Sequence, residues 1–199
     1  MNLEIEYLCE PARGELRSGD VIVVRRDEER TMLAVVDSLG HGDRAADVAD
    51  VAAAHLREAT MPTDAGEMMG SLHDALKGTR GAAASICIVG EDGVSGCGVG
   101  NVEIRTQGSN VPVFLNPGIL GQHVRQMRAF WGEARAGSRL VLFSDGVSAR
   151  ARFDDVRHLP AAEACRALFE RSRKDHDDAS LAILDLAPQD RIGTRGGLV

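Results

Sequence analysis

The sequence has few aromatic residues and no excess of positive charge. Aromatic residues make up 4% of the 199 residues, so few side chains are available to stack on bases. The formal net charge is −7, which argues against a partner held mainly through phosphate-backbone contacts, such as nucleic acid. An acidic excess fits simple solubility and also fits cation binding, so composition alone leaves both interpretations open.

Closely spaced cysteines and long apolar runs are also missing. The four cysteines, Cys9, Cys87, Cys97 and Cys165, form no C-x-x-C pair, so we expect buried free thiols and not a zinc site. No apolar run approaches the roughly 20 residues of a membrane span. The first residues also lack the basic and apolar regions of a signal peptide. We therefore expect a cytoplasmic protein that does not act on a membrane.

Apolar periodicity predicts strands, two helices, further strands, a third helix and a last strand. The predicted strands are 3–9, 21–24, 31–36, 84–89, 94–98, 102–106, 111–115, 140–143 and 181–186, with one or two more within 122–131. The predicted helices are 43–59, a second after an N-cap at Asp64 with Glu67 in capping-box position, and a third opened by Pro160. This order indicates the α+β class, with largely antiparallel sheets covered by helices. We expect one domain over 1–187 and a flexible tail over 188–199.

Four aspartates lie at the ends of apolar strands and beside small residues. They are Asp20 in SGDVIVV, Asp37 in LAVVDSLGHG, Asp145 in LVLFSDGV and Asp177 in HDDASLAIL. Carboxylate oxygens are the ligands that Mg²⁺ and Mn²⁺ prefer, and gathered carboxylates without a cation repel one another. An Asp beside Gly is also a common turn residue. Spacing alone therefore leaves the turn and metal-ligand interpretations open.

The ordered series SGD, VVDSLGHG, LFSDGV and DDASLAIL resembles the PPM (PP2C-type) serine/threonine phosphatases. It is most similar to their compact bacterial branch of sporulation and stress-response phosphatases, including the stressosome phosphatase. The segments GTRGAAASICIV and GVGNVEIR also resemble that branch, so the likeness runs from about residue 20 to residue 186. The resemblance implies an αββα sandwich of two largely antiparallel sheets, with a metal cleft at one end.

The resemblance also implies a ligand set for two Mn²⁺ or Mg²⁺ ions: Asp20, Asp37, Ser38, Asp145, Asp177 and Asp178. Asp37 would bridge the ions, and Ser38 would contact one of them through its carbonyl. Asp145 and Asp177 would bind the other ion, while Asp20 would support the site directly or through water. Asp178 would orient Asp177 or a water, although the roles of these two neighbours could be exchanged.

Three features depart from the family pattern or leave a role unassigned. Ser38 follows the bridging Asp where the family usually has Gly, and Ser would pay a cost if positive φ were required. Leu39 stands where eukaryotic members have His, while His41 matches the bacterial branch and would donate a proton to the leaving alkoxide; its alternative is an exposed loop histidine. No Arg matches a phosphate clamp securely. Arg13 and Arg17 precede SGD, and Arg80 follows a predicted helix, so the substrate-binding residues stay unassigned.

The function implied by the resemblance is a metal-dependent serine/threonine phosphoprotein phosphatase. A metal-bound hydroxide would attack phosphorus directly, with no covalent enzyme intermediate. The implied substrates are phosphorylated STAS-domain proteins, RsbS- or RsbR-like, of a stressosome or partner-switching module. Ser38 and Leu39 leave open a pseudophosphatase that binds its partner without turnover, and a small-molecule metal phosphoesterase is a further alternative. We expect a monomer.

Overall fold

In the computed structural model, which describes residues 2–133 and 135–187, the chain forms strands and helices in nearly the predicted order. The strands are β1 (Asn2–Glu10), β2 (Asp20–Arg26), β3 (Thr31–Ser38), β4 (Ala82–Val89), β5 (Val94–Val99), β6 (Glu103–Gln107), β7 (Leu115–Asn116), β8 (Gly118–Ile119), β9 (His123–Val124), β10 (Phe130–Gly132), β11 (Arg139–Phe143) and β12 (Ala179–Ala187). The helices are α1 (Asp43–Glu58), α2 (Ala65–Ala75) and α3 (Ala161–Ser172), with one 3₁₀ turn at Phe153–Val156.

The larger strands form two sheets that pack face to face. The first sheet has the order β1-β12-β11-β6, and the second has the order β10-β5-β4-β3-β2. Every pairing along these two paths is antiparallel, while β7 adds to β5 in parallel. Leu33 and Val35 from β3 lie in one buried cluster with Leu140 from β11 and Leu184 from β12. This apolar layer joins the sheets, as expected for strands that are buried on both faces.

Helices cover the outer face of each sheet. α1 and α2 pack on the second sheet, where Leu56 and Leu72 are buried with Ile86 of β4. α3 packs on the first sheet, where Leu168 is buried with Phe143. The predicted α+β class and αββα layering are therefore confirmed.

Antiparallel pairing brings the aspartate-bearing strand ends to one end of the sandwich. β2 begins where β3 ends, so Asp20 and Asp37 are direct cross-strand partners. β11 ends where β12 begins, and the Ser144 amide donates to the Ser180 carbonyl at 3.0 Å. The two ends meet because the Gly19 amide, beside β2, donates to Asp178 Oδ2 at 2.7 Å.

Two local expectations have opposite outcomes. Asp64 is the predicted N-cap of α2, since its Oδ1 accepts from the amides of Gly66 at 2.6 Å and Glu67 at 3.2 Å. The predicted strand over 111–115 is wrong, because only Leu115 belongs to a strand. Pro112 has no N–H for a ladder, and the Val113 amide turns back to the Val111 carbonyl at 2.9 Å.

The remaining expectations concern cysteines, membrane spans and the C-terminal segment. All four cysteines are free, with Cys9 half-buried and Cys87, Cys97 and Cys165 buried, as predicted. Among the described helices, none combines the length and apolar character needed to cross a bilayer. The predicted tail over 188–199 lies outside the described residues.

Candidate metal centre

The second sheet supplies two facing carboxylates. Asp20 begins β2 and Asp37 lies next to the end of β3, directly opposite it. Asp20 is only 4% exposed, and its Oδ2 is buried with no hydrogen-bond partner among the described residues. A buried carboxylate oxygen without a donor is costly, so a native one requires an explanation, such as an ion.

The first sheet supplies Asp145, which follows β11. Its Oδ2 accepts a hydrogen bond from Asn101 Nδ2 at 2.7 Å, and its backbone carbonyl accepts one from Lys174 Nζ. The side chain is otherwise exposed. Ser144 before it is locked to β12, because the Ser180 amide donates to Ser144 Oγ at 3.0 Å. The backbone that carries Asp145 is thus fixed on both sides while one carboxylate oxygen stays open.

The adjacent aspartates before β12 have different surroundings. Asp178 is 3% exposed, with Oδ1 accepting from the Ala12 amide at 2.8 Å and Oδ2 from the Gly19 amide at 2.7 Å. It therefore pins the loop before β2 with both oxygens. Asp177 is partly exposed, and its Oδ1 accepts only from the Asp178 amide at 3.0 Å. Asp177 accordingly has more free coordinating capacity than Asp178.

Burial and the charges of neighbouring aspartates make Asp37, Asp20 and Asp177 hard to ionise. Burial raises the pKa of Asp37 to about 8, with further increases from the charges of Asp20, Asp145, Asp177 and Asp178. Burial likewise raises the pKa of Asp20 to about 7, against a lowering by the hydroxyls of Ser144 and Ser180. Burial and then the charge of Asp145 raise the pKa of Asp177. Such a group of carboxylates is stabilised by a cation.

The donor set fits a hard divalent ion in its chemistry. All the candidate donors are oxygens, which suits Mg²⁺ or Mn²⁺. In the described part of the chain, no three His, Cys, Asp or Glu side chains are arranged so that they could hold an ion as they stand. Ligation therefore requires the repelling carboxylates to close around the ion.

Ser38 meets no backbone penalty at its position. It is the last residue of β3 and pairs with Ala82 of β4. No described residue other than glycine has positive φ, so the cost anticipated for Ser in place of Gly is absent. Its Oγ is buried with no hydrogen-bond partner among the described residues.

His41 lies in the loop before α1 and pairs with a glutamate. Its Nδ1 is 2.9 Å from Glu15 Oε1, and its side chain is 55% exposed. The structure thus gives His41 a carboxylate partner that can hold the ring in place. The role of proton donor to a leaving group stays a prediction.

Several residues near the carboxylates carried no recognised signal in the sequence. Asn101 lies in the β5–β6 turn and Lys174 in the loop after α3, and both reach Asp145. The segment GVGNVEIR belongs to the family resemblance without singling out Asn101, and the sheet order brings that turn to Asp145. Arg17, considered as a phosphate contact, instead bonds Asp47 at 2.9 Å and Asp50 at 2.7 Å.

No protein-family model and no curated protein matches the chain. Solved structures do match. A chain solved in work on the bacterial stressosome, described as a modular system adapted to control secondary messenger signalling, has a TM-score of 0.83 and 29% identity over 92% of this chain and 100% of that one. RsbX in complex with magnesium has a TM-score of 0.81 and 19% identity over 93% of this chain and 96% of that one. The Mycobacterium tuberculosis serine/threonine phosphatase PstP has a TM-score of 0.69 and 16% identity over 94% of this chain and 99% of that one.

The chain has the fold of the PP2C-type phosphatases, and the family resemblance is confirmed at this level. Within that fold it is similar to RsbX and to the stressosome-associated chain, each over nearly the full length of both proteins.

Proposed function

We propose that this protein is a serine/threonine phosphoprotein phosphatase that depends on two Mn²⁺ or Mg²⁺ ions. The observation that carries the proposal is the meeting of four strand-end aspartates, two from each sheet, with a buried unpartnered oxygen on Asp20 and a pKa of about 8 on Asp37. This arrangement favours the binding of divalent cations, and the chain has the fold of known phosphatases. When bound, such ions lower the pKa of water and neutralise phosphoryl charge.

Each chain residue has a distinct task in this proposal. Asp37 would contribute to holding both ions and the Ser38 carbonyl to holding one, while Asp145 and Asp177 would bind the other. Asp20 supplies its free oxygen directly or through water. Asp178 is a positioning residue, because both of its oxygens already accept backbone amides. Asn101 and Lys174 orient Asp145.

Cys9 is a potential nucleophile beside the carboxylates, and its surroundings disfavour attack. Its Sγ lies 3.4 Å from the Asp20 carbonyl. Burial, followed by the charge of Asp20, raises the pKa of its thiol to about 12. Since the thiolate is the reactive form, direct attack by water is favoured over a cysteinyl-phosphate intermediate.

The proposed substrates are phosphorylated STAS-domain proteins, RsbS- or RsbR-like, of a stressosome or partner-switching module. The similarity to RsbX and to a chain from stressosome work supports this choice. The proposal also includes a cytoplasmic location and a monomeric state. Size-exclusion chromatography with light scattering checks the monomeric state.

The test is release of inorganic phosphate from a phosphorylated STAS-domain protein, with and without Mn²⁺. We expect Mn²⁺-dependent release by the wild type and a loss of at least about 100-fold in Asp37→Asn, as expected when a metal ligand is removed. Asp74→Asn is the matched control, because Asp74 is an exposed aspartate paired with Lys77 at 2.6 Å. Equal release by Asp37→Asn and wild type would falsify the proposed site.

The same assay separates the two alternative functions. The pseudophosphatase alternative rests in part on Leu39, which stands beside Ser38 where eukaryotic family members have His and is 38% exposed. Tight binding of the phosphorylated partner with no release, together with no hydrolysis of p-nitrophenyl phosphate, would support it. Preference for nucleotides over phosphoproteins would instead support a small-molecule phosphoesterase.

A further inference from the structure

The connection from α2 to β4, residues 76–81, lies against the loop that follows Asp37. The Leu39 amide donates to the Gly81 carbonyl at 3.0 Å, and Ser38 pairs with Ala82. Two backbone contacts therefore hold the connection beside the metal centre. Whatever side chain projects from it is positioned on the rim of that centre.

Arg80 projects from this connection onto Gly40. A Cβ added at Gly40 would lie 3.3 Å from Arg80 Nη1, 3.6 Å from Cζ and 3.7 Å from Nη2. These similar distances show that the guanidinium plane rests against the glycine. Gly40 also has a φ of +85°, a conformation that side chains rarely adopt. Glycine at position 40 thus allows the cation to approach the loop closely.

Three other cations near this end of the sandwich already have partners. Arg17 bonds Asp47 and Asp50, Lys174 bonds the Asp145 carbonyl, and Arg173 bonds Glu10. Each of these contacts reduces what the cation can offer to a bound anion. These three cations therefore stabilise the surroundings of the site and are not free to bind a substrate at its entrance.

Arg80 differs because its backbone is held while its head group is free. Its carbonyl accepts from Gln122 Nε2 at 2.6 Å. Within the described residues, no carboxylate lies within ion-pair distance of its guanidinium, and the residue is exposed. A guanidinium presents a planar fork that matches two oxygens of a phosphate group. Arg13 is another exposed arginine of this region, but among the described residues no contact places its head group against the loop after Asp37.

We propose that Arg80 binds the phosphoryl oxygens of the substrate and so selects phosphate dianions at the rim of the metal centre. The inference rests on the proposed function and adds a substrate-binding residue to it. An anion approaching five aspartates needs positive charge besides that of the ions, and Arg80 supplies it from the connection that is bonded to the loop after Ser38. A contact of this kind forms equally in the bound and transition states, so it acts on KM more than on kcat.

The experiment compares Arg80→Gln and Arg80→Lys with Arg125→Gln, an exposed arginine in the segment before β10, and with Arg13→Gln as the rival. KM and kcat are measured with p-nitrophenyl phosphate and Mn²⁺, and inorganic phosphate is titrated by calorimetry as a readout independent of turnover. We expect Arg80→Gln to raise both KM and the phosphate dissociation constant about tenfold, with kcat changed by less than about threefold. Arg80→Lys recovers part of the loss, while Arg125→Gln matches the wild type.

Each contrary outcome has a separate meaning. Phosphate binding by Arg80→Gln that equals that of Arg125→Gln overturns the inference while leaving the proposed function intact. A loss confined to Arg13→Gln assigns the contact to the rival residue. A fall in kcat and in melting temperature, with KM unchanged, makes Arg80 a brace for the loop at Gly40. A wild type that hydrolyses no phosphate ester contradicts the proposed function, and phosphate titration still decides the contribution of Arg80.

Discussion

At the residue scale, the main feature is a set of carboxylates that the fold brings together at a cost. Asp20 and Asp37 are forced into contact by strand register, and burial raises the pKa of each far above the ordinary aspartate value of 3.8. The folded, metal-free protein therefore takes up protons that the unfolded chain has already released. Proton uptake of this kind makes stability depend on pH.

Stability of the metal-free protein is expected to fall as pH rises from about 4 to about 8. A carboxyl group with a raised folded-state pKa contributes its full stabilisation below the unfolded value of 3.8 and loses it as pH approaches the folded value, about 8 for Asp37. The shift of Asp37 alone corresponds to a fall on the order of 5 kcal/mol. Urea unfolding in the presence of a chelator at pH 5, 6, 7 and 8 measures it.

Asp37→Asn is expected to flatten this pH dependence, since it removes the carboxyl with the most raised pKa and lessens the repulsion on Asp20. Asp74→Asn is the control because Lys77 lowers the pKa of that exposed carboxyl, so its slope should match the wild type. An unchanged slope in Asp37→Asn would mean that the shifted protons bind elsewhere.

The sequence allows the aspartates to be identified, but it does not show which of them are free to bind an ion and which are held by backbone amides. The motif order identifies Asp20, Asp37, Asp145 and Asp177 from the sequence alone. The different surroundings of Asp177 and Asp178 come from amides more than 150 positions away, at Ala12 and Gly19. The periodicity of apolar residues does not predict contacts between residues so far apart in the sequence. Similarly, only the strand geometry of Ser38 removes the backbone cost anticipated there.

At the element scale, strands and helices were well predicted where burial follows a simple period. The ends of β3 and β11 were located because an apolar run stops at a polar residue. The segment 111–115 failed because an apolar run with Pro112 inside it packs in the core without joining a ladder; Val111 is only 7% exposed. Burial alone therefore does not distinguish a strand from a buried irregular segment.

Gly146, in the turn after β11, is required for the two sheet ends to meet. A Cβ at this position would lie 1.8 Å from the Asp178 carbonyl oxygen, which is impossible without moving the backbone that carries Asp177 and Asp178. We expect Gly146→Ala to lower the free energy of unfolding by about 1–3 kcal/mol or more. We also expect it to weaken Mn²⁺ binding by about tenfold or more, as calorimetry would show.

Gly70→Ala is the matched control for that substitution. Gly70 lies in α2 with no atom within 4 Å of an added Cβ. Alanine is favoured there by about 0.5–1 kcal/mol through helix propensity. The pair should therefore change stability in opposite directions, and normal Mn²⁺ affinity in Gly146→Ala would show that the turn does not position the ligands.

At the scale of the whole molecule, the candidate centre is shared between two sheets that otherwise contact through an apolar layer. Asp20 and Asp37 belong to the second sheet, while Asp145 and Asp177 flank β11 and β12 of the first. An ion bound by both sets would lock the sheets together at one end. It would bind the folded chain and not the unfolded one, so it would raise stability by mass action.

Mn²⁺ at about 100 times its dissociation constant should then stabilise the wild type by about 2.7 kcal/mol. This corresponds to a rise in melting temperature of roughly 5–10 °C for a chain of this size. Asp37→Asn and Asp145→Asn should each lose most of that rise, although they alter opposite sheets, and Asp74→Asn should keep it. Thermal unfolding with and without Mn²⁺ measures all four proteins. If Asp145→Asn retains the full shift, the ions are held by the second sheet alone, because a centre that spans both sheets needs a ligand from each.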